Sequence, residues 1–317
     1  MKSFQQIGRE WLDTLVVAIS VAMAFRAYFF EPFNIPTGSM QPTLYGNHSE
    51  PCAEPGLFET TPLKWLNWAI SGREYKEFVA PATGTLVMED RGDGRVAVYV
   101  SPAGGGKVEK TVLPTDAIQG FNLGSAYDGV PVAPWPLRDG RRVFRVRRAD
   151  GSPGPEVRVK AGTRVWSGYD TTGDFIFVNR WKWNFRRPAR GDVMVFATTG
   201  IPALAQGTHY IKRLTALPGE TVEISRPDVY IDGEKIAPLK PMTGRRGEQT
   251  PEPCAGGDGR ETTGPVKMGA DEYYACGDNS ANSFDSRYWG AVPERNLRGT
   301  GACVFWPLAN PRWGMIR

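Results

Sequence analysis

Only one stretch of this chain has the composition of a long apolar helix. Leu12 to Phe30 reads Leu-Asp-Thr-Leu-Val-Val-Ala-Ile-Ser-Val-Ala-Met-Ala-Phe-Arg-Ala-Tyr-Phe-Phe. As a helix it would be about 28 Å long, close to the hydrocarbon thickness of a bilayer. Asp13 falls in the first turn, where the helix dipole favours it, and Arg26 is near enough to the far end to snorkel to headgroups. Phe25, Tyr28, Phe29 and Phe30 form an aromatic cluster of the kind found at membrane interfaces. The segment is expected to be a signal-anchor over residues 11–30, with residues 1–10 on the cytoplasmic side. A cleaved leader is disfavoured, because the only Ala-X-Ala, Ala22-Met23-Ala24, lies inside the apolar run. A helix lying on the membrane surface stays open. Charge orients the segment weakly, since Lys2 and Arg9 precede it and Arg26 follows.

The rest of the chain points to strands. The 317 residues include 37 Gly and 26 Pro, which favour turns over long helices. At 41% hydrophobic residues, a core can form without a metal or a disulfide framework. A net charge of +4 gives no reason to expect a nucleic-acid partner. Two histidines, His48 and His209, exclude a zinc site built on several of them. The four cysteines form no C-x-x-C pair, so no metal is expected. Cys52 and Cys254, both in Pro/Gly-rich surroundings, are candidates for a bridge. Cys276 and Cys303 lie in apolar runs and read as small buried residues. No cofactor motif is present: Gly104-Gly105-Gly106-Lys107 lacks both the leading Gly and the trailing Ser or Thr of a phosphate loop.

Residues 45–170 read as a β-rich unit of their own. A Trp-rich piece, Lys64–Ile70, suggests one or two helical turns. Strands are expected at Gly84–Glu89, Arg95–Val100, Lys107–Leu113, Arg142–Arg147 and Glu156–Lys160, with alternation clearest in Val96/Val98/Val100. Arg138, Arg141, Arg142, Arg145, Arg147 and Arg148 read as a solvated hairpin face; binding to anionic lipid is the alternative. From residue 172, strands follow at Asp174–Arg180, Asp192–Thr198, Thr208–Ala216, Glu220–Ser225, Asp228–Ile236, Glu272–Cys276 and Thr300–Trp306. Asp232-Gly233 is the expected hairpin turn between Glu220–Ser225 and Asp228–Ile236. Residues 241–266 read as a long loop.

Two side chains attract attention as chemistry. Ser39 follows the apolar segment directly, in Phe33-Asn34-Ile35-Pro36-Thr37-Gly38-Ser39-Met40-Gln41-Pro42-Thr43-Leu44. A serine hydroxyl is a poor nucleophile until a base takes its proton. With histidine scarce, lysine is the next candidate. Lys212 interrupts an apolar strand, and alternation puts it on one face with Tyr210 and Leu214. Burial of that face would lower its pKa from about 10.4 to about 8, at a cost of roughly 3 kcal/mol. An ordinary ion pair, or a lysine stem covering the core, is the other reading.

Four strings resemble the conserved boxes of bacterial signal peptidase I, in the family's order. They are Ile35–Leu44, Gly191–Phe196, Tyr210–Glu220 and Gly277–Gly290, about a third of the chain; residues 45–170 are not covered. The resemblance implies a mostly β fold: an antiparallel catalytic domain over 31–44 and 171–317, an inserted β-rich subdomain over 45–170, and one N-terminal transmembrane helix. It implies a membrane-bound serine endopeptidase that removes signal peptides from exported preproteins after Ala-X-Ala. Ser39 would be the nucleophile, Lys212 the general base, and Ser283 the group that orients the lysine. The Ser39 N–H and the Thr37 hydroxyl would form the oxyanion hole. Asp278, Arg213, Asp285 and Arg287 would hold the boxes together by salt bridges. Ile35, Met40, Leu44 and Ile211 would line small pockets for the signal peptide. No cofactor is implied. The partners would be preprotein signal peptides, the lipid bilayer of the bacterial inner membrane and, as a candidate, the export machinery.

The chain departs from the family in three ways. Thr37 stands where Ser is common. Ser280 and Ala281 replace an Arg-Asp pair. Ser39 and Lys212 are unusually far apart in sequence. His209 points away from Lys212 and reads as structural. A peptidase dedicated to one secretion system, or an inactive signal-peptide-binding relative, are the competing functions.

Overall fold

The computed structural model describes residues 4–59, 62–104, 109–225, 228–236 and 262–316. Helix α1, Phe4–Tyr28, opens the chain. It begins before the apolar run and carries Arg9, Glu10, Asp13 and Arg26. Among the described residues, no helix is long and apolar enough to cross a membrane. The large apolar side chains of α1, from Trp11 to Phe25, nevertheless stand exposed.

An eight-stranded antiparallel sheet follows. Its strands run in the order Phe30–Asn34, Phe175–Asn179, Leu297–Trp306, Val193–Ala197, His209–Ala216, Glu272–Cys276 and Val292–Pro293, with Gly314–Met315 added beside Leu297–Trp306. Alternation decides the faces. Ile176 and Val178 are fully buried, while Phe175 and Phe177 point the other way. Val193–Ala197 is buried along its whole length, since apolar clusters cover both of its faces. One cluster holds Ile35, Met40 and Leu44 beside the strands; the other holds Met194, Phe196 and Leu214.

A four-stranded sheet carries Thr221–Ser225 between Asp228–Ile231 and Thr262–Lys267. Asp232 and Gly233, at φ 52° and 82°, turn Asp228–Ile231 into Glu234–Lys235. The Asp-Gly turn is thus one strand later than expected. Its two positive φ values suit a tight hairpin.

Residues between the serine turn and Phe175 build two further sheets. One has seven strands, including Gly84–Asp90, Arg95–Pro102 and Arg142–Arg147; the other orders His48–Pro51, Arg164–Thr171 and Arg73–Val79. A single cluster, with Leu86, Val98, Leu113, Phe144 and Trp166, packs between them. Helix α2, Leu63–Ser71, stands where the Trp-rich piece suggested one or two turns. The strands Arg73–Val79 and Arg164–Thr171 were not expected, because Gly168 and Asp170 break the apolar alternation. Asp170 is nevertheless buried and accepts from Lys76 at 2.7 Å and Arg95 at 3.1 Å, joining the two sheets. Arg141 and Arg145 pair with Asp139 and Glu156 on an exposed hairpin.

The cysteines correct two expectations. Cys52 carries a free thiol, so it forms no bridge with Cys254, which itself lies outside the described residues. Cys276 is fully buried, as its apolar run suggested, but it is disulfide-bonded rather than a lone small residue. Cys303 is free.

Asp170→Asn would leave two cations facing a neutral amide. Both are about a quarter exposed, so the loss should be about 2–3 kcal/mol, below that of a fully buried pair. Urea unfolding measures it, and no change would mean that the triad does not hold the sheets together.

Candidate active site

Ser39 sits in a single 3-10 turn, Gly38–Met40, entered from extended backbone at Thr37. The first N–H groups of such a turn have no acceptor within it, so they face outward. The loop after Glu272–Cys276 fixes the turn from the other side. Asn279 donates its backbone N–H to the Ser39 carbonyl at 3.1 Å and its side-chain amide to the Gly38 carbonyl at 3.0 Å.

Lys212 lies on His209–Ala216, paired with Met194 on the adjacent strand. It is 3% exposed, and its Nζ is 2.6 Å from Ser39 Oγ. A protonated amine donates in this contact; a neutral one accepts the serine proton. Burial pushes the lysine pKa down from 10.5 to about 8. Asp285 and Asp278 act in the opposite sense, and Arg287 adds to the lowering.

Those three charges belong to two buried pairs. Arg213 grips Asp278 through Nε and Nη2 at 2.7 and 2.6 Å. Thr43 joins them, donating to Asp278 at 2.5 Å and accepting from Arg213 at 3.1 Å. The serine segment, the lysine strand and the loop after Cys276 therefore meet at one carboxylate. Arg287 holds Asp285 through Nε and Nη2, and Asp285 also accepts the Gly277 N–H at 2.9 Å. Thr43 and Asn279 had no role in the reading of the sequence. Their only signal was a place inside two of the four strings.

The remaining expected site residues are placed as follows. Ser283 is buried, but its hydroxyl has no hydrogen-bond partner, so the expected bond to the lysine is not formed in this structure. It lies instead against Gly277, where a Cβ would come within 2.1 Å of Ser283 Oγ. Thr37 is exposed and its side chain makes no capping bond, leaving the hydroxyl available. Ile35, Met40 and Leu44 are almost wholly buried in the core, so they support the floor of the site rather than open onto it. Ile211 is partly buried against the same cluster. His209 is exposed, edge-on to Phe33. An open cavity of about 1050 Å³ lies elsewhere, bordered by Pro42, His48, Arg73 and Arg312; neither Ser39 nor Lys212 lines it. Among the described residues no cluster of His, Cys, Asp and Glu could hold a metal ion.

A hydroxyl in contact with a dry amine of lowered pKa is the equipment of serine–lysine acyl-transfer sites. The chain belongs to the signal peptidase family, peptidase S26, whose profile matches residues 8–49 and 148–306, more than half of its length. The matched residues include Ser39, Lys212 and Ser283 and leave out most of the two extra sheets. A probable signal peptidase I-2 from Synechocystis is 33% identical over 144 residues, 45% of this chain and 59% of the relative. Signal peptidase I from Leptolyngbya laminosa is 34% identical over 140 residues, 43% and 61% respectively. Signal peptidase I from Bacillus amyloliquefaciens is 34% identical over 141 residues, 44% and 68%. The chain thus spans about three fifths of the first two relatives. A crystal structure of a signal peptidase I from Enterococcus faecalis aligns with 36% of this chain and 97% of its own, at 26% identity and a TM-score of 0.25.

Two outcomes follow. A reaction needing neutral Lys212 should speed up with pH through a single limb centred near 8. Stability should rise with it: the folded pKa lies below 10.5, so between about 8 and 10.5 the unfolded chain binds the extra proton. The full span is up to about 3 kcal/mol, and Lys212→Met should flatten it. Separately, a Cβ at Gly277 would fall 2.4 Å from the Ser39 carbonyl, so Gly277→Ala should displace the serine. A displacement of about 1 Å lowers rates about 100-fold, readable as kcat on a peptide substrate.

Proposed function

We propose that the protein is a membrane-bound endopeptidase that removes signal peptides from exported preproteins after Ala-X-Ala-type sites, through a Ser39/Lys212 dyad. The contact of 2.6 Å between Lys212 Nζ and Ser39 Oγ carries this reading. Neutral Lys212 takes the Ser39 proton as Oγ attacks the scissile carbonyl. The oxyanion accepts hydrogen bonds from the Ser39 N–H and the Thr37 hydroxyl. Collapse breaks the C–N bond, and the lysine returns the proton to the leaving amine, releasing the mature protein. The acyl-enzyme on Ser39 is then hydrolysed by a water activated by the same lysine, which frees the signal peptide. The substrate lies extended, as a strand added to the sheet. The names of the relatives support the substrate class.

In this reading α1 is a single-pass anchor in the bacterial inner membrane, and the sheets lie on the extracytoplasmic side. The exposed apolar side chains of α1 support attachment, since none of the described residues covers them. The disulfide at Cys276 supports an oxidising compartment.

The test is processing of a detergent-solubilised preprotein, with the product's N-terminus sequenced. Wild type should cut after Ala-X-Ala, and Ser39→Ala and Lys212→Ala should each lose activity by a factor of at least about 1000. Cleavage that survives Lys212→Ala would show that another group is the base.

A further inference from the structure

Helix α2 is built inside out. Lys64, Asn67 and Ser71, spaced as one helical stripe, are its half-buried positions, and Leu63, Trp65, Leu66, Trp68 and Ile70 are all exposed. The polar stripe is used inward: Asn67 donates to Glu59 at 2.8 Å, and Ser71 Oγ donates to the Asn67 carbonyl at 2.7 Å. The 3-10 turn just before the helix adds Leu57, 90% exposed, and Phe58. A surface helix in water has the opposite polarity.

The helix is also docked firmly. Trp306 Nε1 donates to the Ala69 carbonyl at 2.7 Å, the Ala309 N–H to Ile70 at 3.0 Å, and the Thr172 N–H to Gly72 at 2.9 Å. Its exposed face is therefore presented, not left over from a loose segment. A path of rings connects it to α1. Trp68 touches Trp306, which touches Phe175; Phe175 and Phe177 both touch Phe305; Phe177 touches Phe30, and Phe30 touches Phe25 in the last turns of α1. The outer face of the catalytic sheet thus carries one apolar track from the foot of α1 to α2. Leu308 and Trp313, both exposed, lie on the C-terminal segment to which α2 is bonded.

We infer that α2 and the turn before it are a second membrane foot, which inserts Leu57, Phe58, Trp65 and Leu66 into the headgroup and upper acyl region of the bilayer that holds α1. Continuity with α1 identifies the occupant as lipid. The composition agrees: tryptophans with a lysine, Lys64 above the Trp65 ring at 5.3 Å, suit the interface. This foot belongs to the extra sheets, outside the residues that match the family profile. With α1 it makes two attachments at opposite ends of the aromatic track, enough to stop the catalytic sheet from rocking about α1. The inference rests on the membrane reading of α1.

The experiment uses the full chain in phosphatidylcholine–phosphatidylglycerol vesicles containing a photoactivatable phosphatidylcholine, with labelled peptides mapped by mass spectrometry. Label is expected on Leu57–Ser71 as well as on α1. A variant carrying Leu57→Ser, Phe58→Ser, Trp65→Gln and Leu66→Gln should cut a soluble signal-peptide fragment at the wild-type rate, which also shows that it folds. It should process a vesicle-embedded preprotein about fivefold or more slowly, because apolar burial sets how such helices bind the surface. Label on α1 with none on 57–71 would overturn the second foot and leave the anchor standing, whether that face were then found in water or against a second copy. No lipid label on either segment would overturn both.

Discussion

Keeping water away from one lysine amine is the constraint on which the centre of this structure is built. Lys212 Nζ has Ser39 Oγ as its close polar contact, and its pKa is lowered chiefly because it is dry. Two buried carboxylates nearby, Asp278 and Asp285, would restore the proton if they were free to act. Each is held in a two-pronged grip by its own arginine. The pairing spends the carboxylates' lone pairs on guanidinium groups and offsets their charge, so among the described residues the amine sits beside two arginine–carboxylate pairs without an ion pair of its own. Buried pairs of this kind contribute little net stability. Here they also hold Thr43, Gly191, Gly277 and Ser280 in place, which positions the serine turn.

The same centre must be assembled from segments 173 positions apart. The fold solves this by making the intervening residues leave and return at one point. His48–Pro51 pairs antiparallel with Arg164–Thr171, so that His48 faces Thr171. Immediately outside that pair, Tyr45 and Asp174 exchange hydrogen bonds, and the Ile35 N–H donates to the Asp174 carbonyl. Two sheets can therefore be enclosed between the serine turn and Phe175 without moving either end. Loop-closure entropy grows only slowly with length, so the enclosed chain adds little cost once its own core forms.

What could be read beforehand follows from the range of the forces involved. Lys212 was legible because a charged residue amid Tyr210, Ile211 and Leu214 conflicts with its neighbours, and such local conflicts mark sites. The buried strand Val193–Ala197 was legible from its uninterrupted apolar run. Arg164–Thr171 was not: its inward charge, Asp170, is satisfied by Lys76 and Arg95, both remote in sequence. Thr43 and Asn279 act through contacts spanning well over a hundred residues, and no local pattern encodes those. Met40 and Leu44 were expected to line pockets, yet both are fully buried. Their apolar character is equally suited to a pocket wall and a core, and only the packing of the sheet decides between them. Ser283 has the opposite history. Its burial fits a role beside the lysine, but its hydroxyl has no partner here.

Helix α2 shows a further limit of pattern reading. An apolar stripe and a polar stripe on one helix reveal that it separates two media, but not which medium lies on which side. For Leu63–Ser71 the usual assumption would turn Trp65 and Leu66 inward, and the structure turns them outward. The reason is found in the neighbouring elements. Glu59 receives Asn67, and the Trp306 ring and the Ala309 amide approach the last helical turn, so its polar groups are the ones satisfied within the protein. A helix whose internal contacts consume its polar side has only its apolar side to offer. Which partner accepts it is then set by what lies next to it along the surface: here a run of aromatic rings that ends at α1, whose own apolar side chains are exposed.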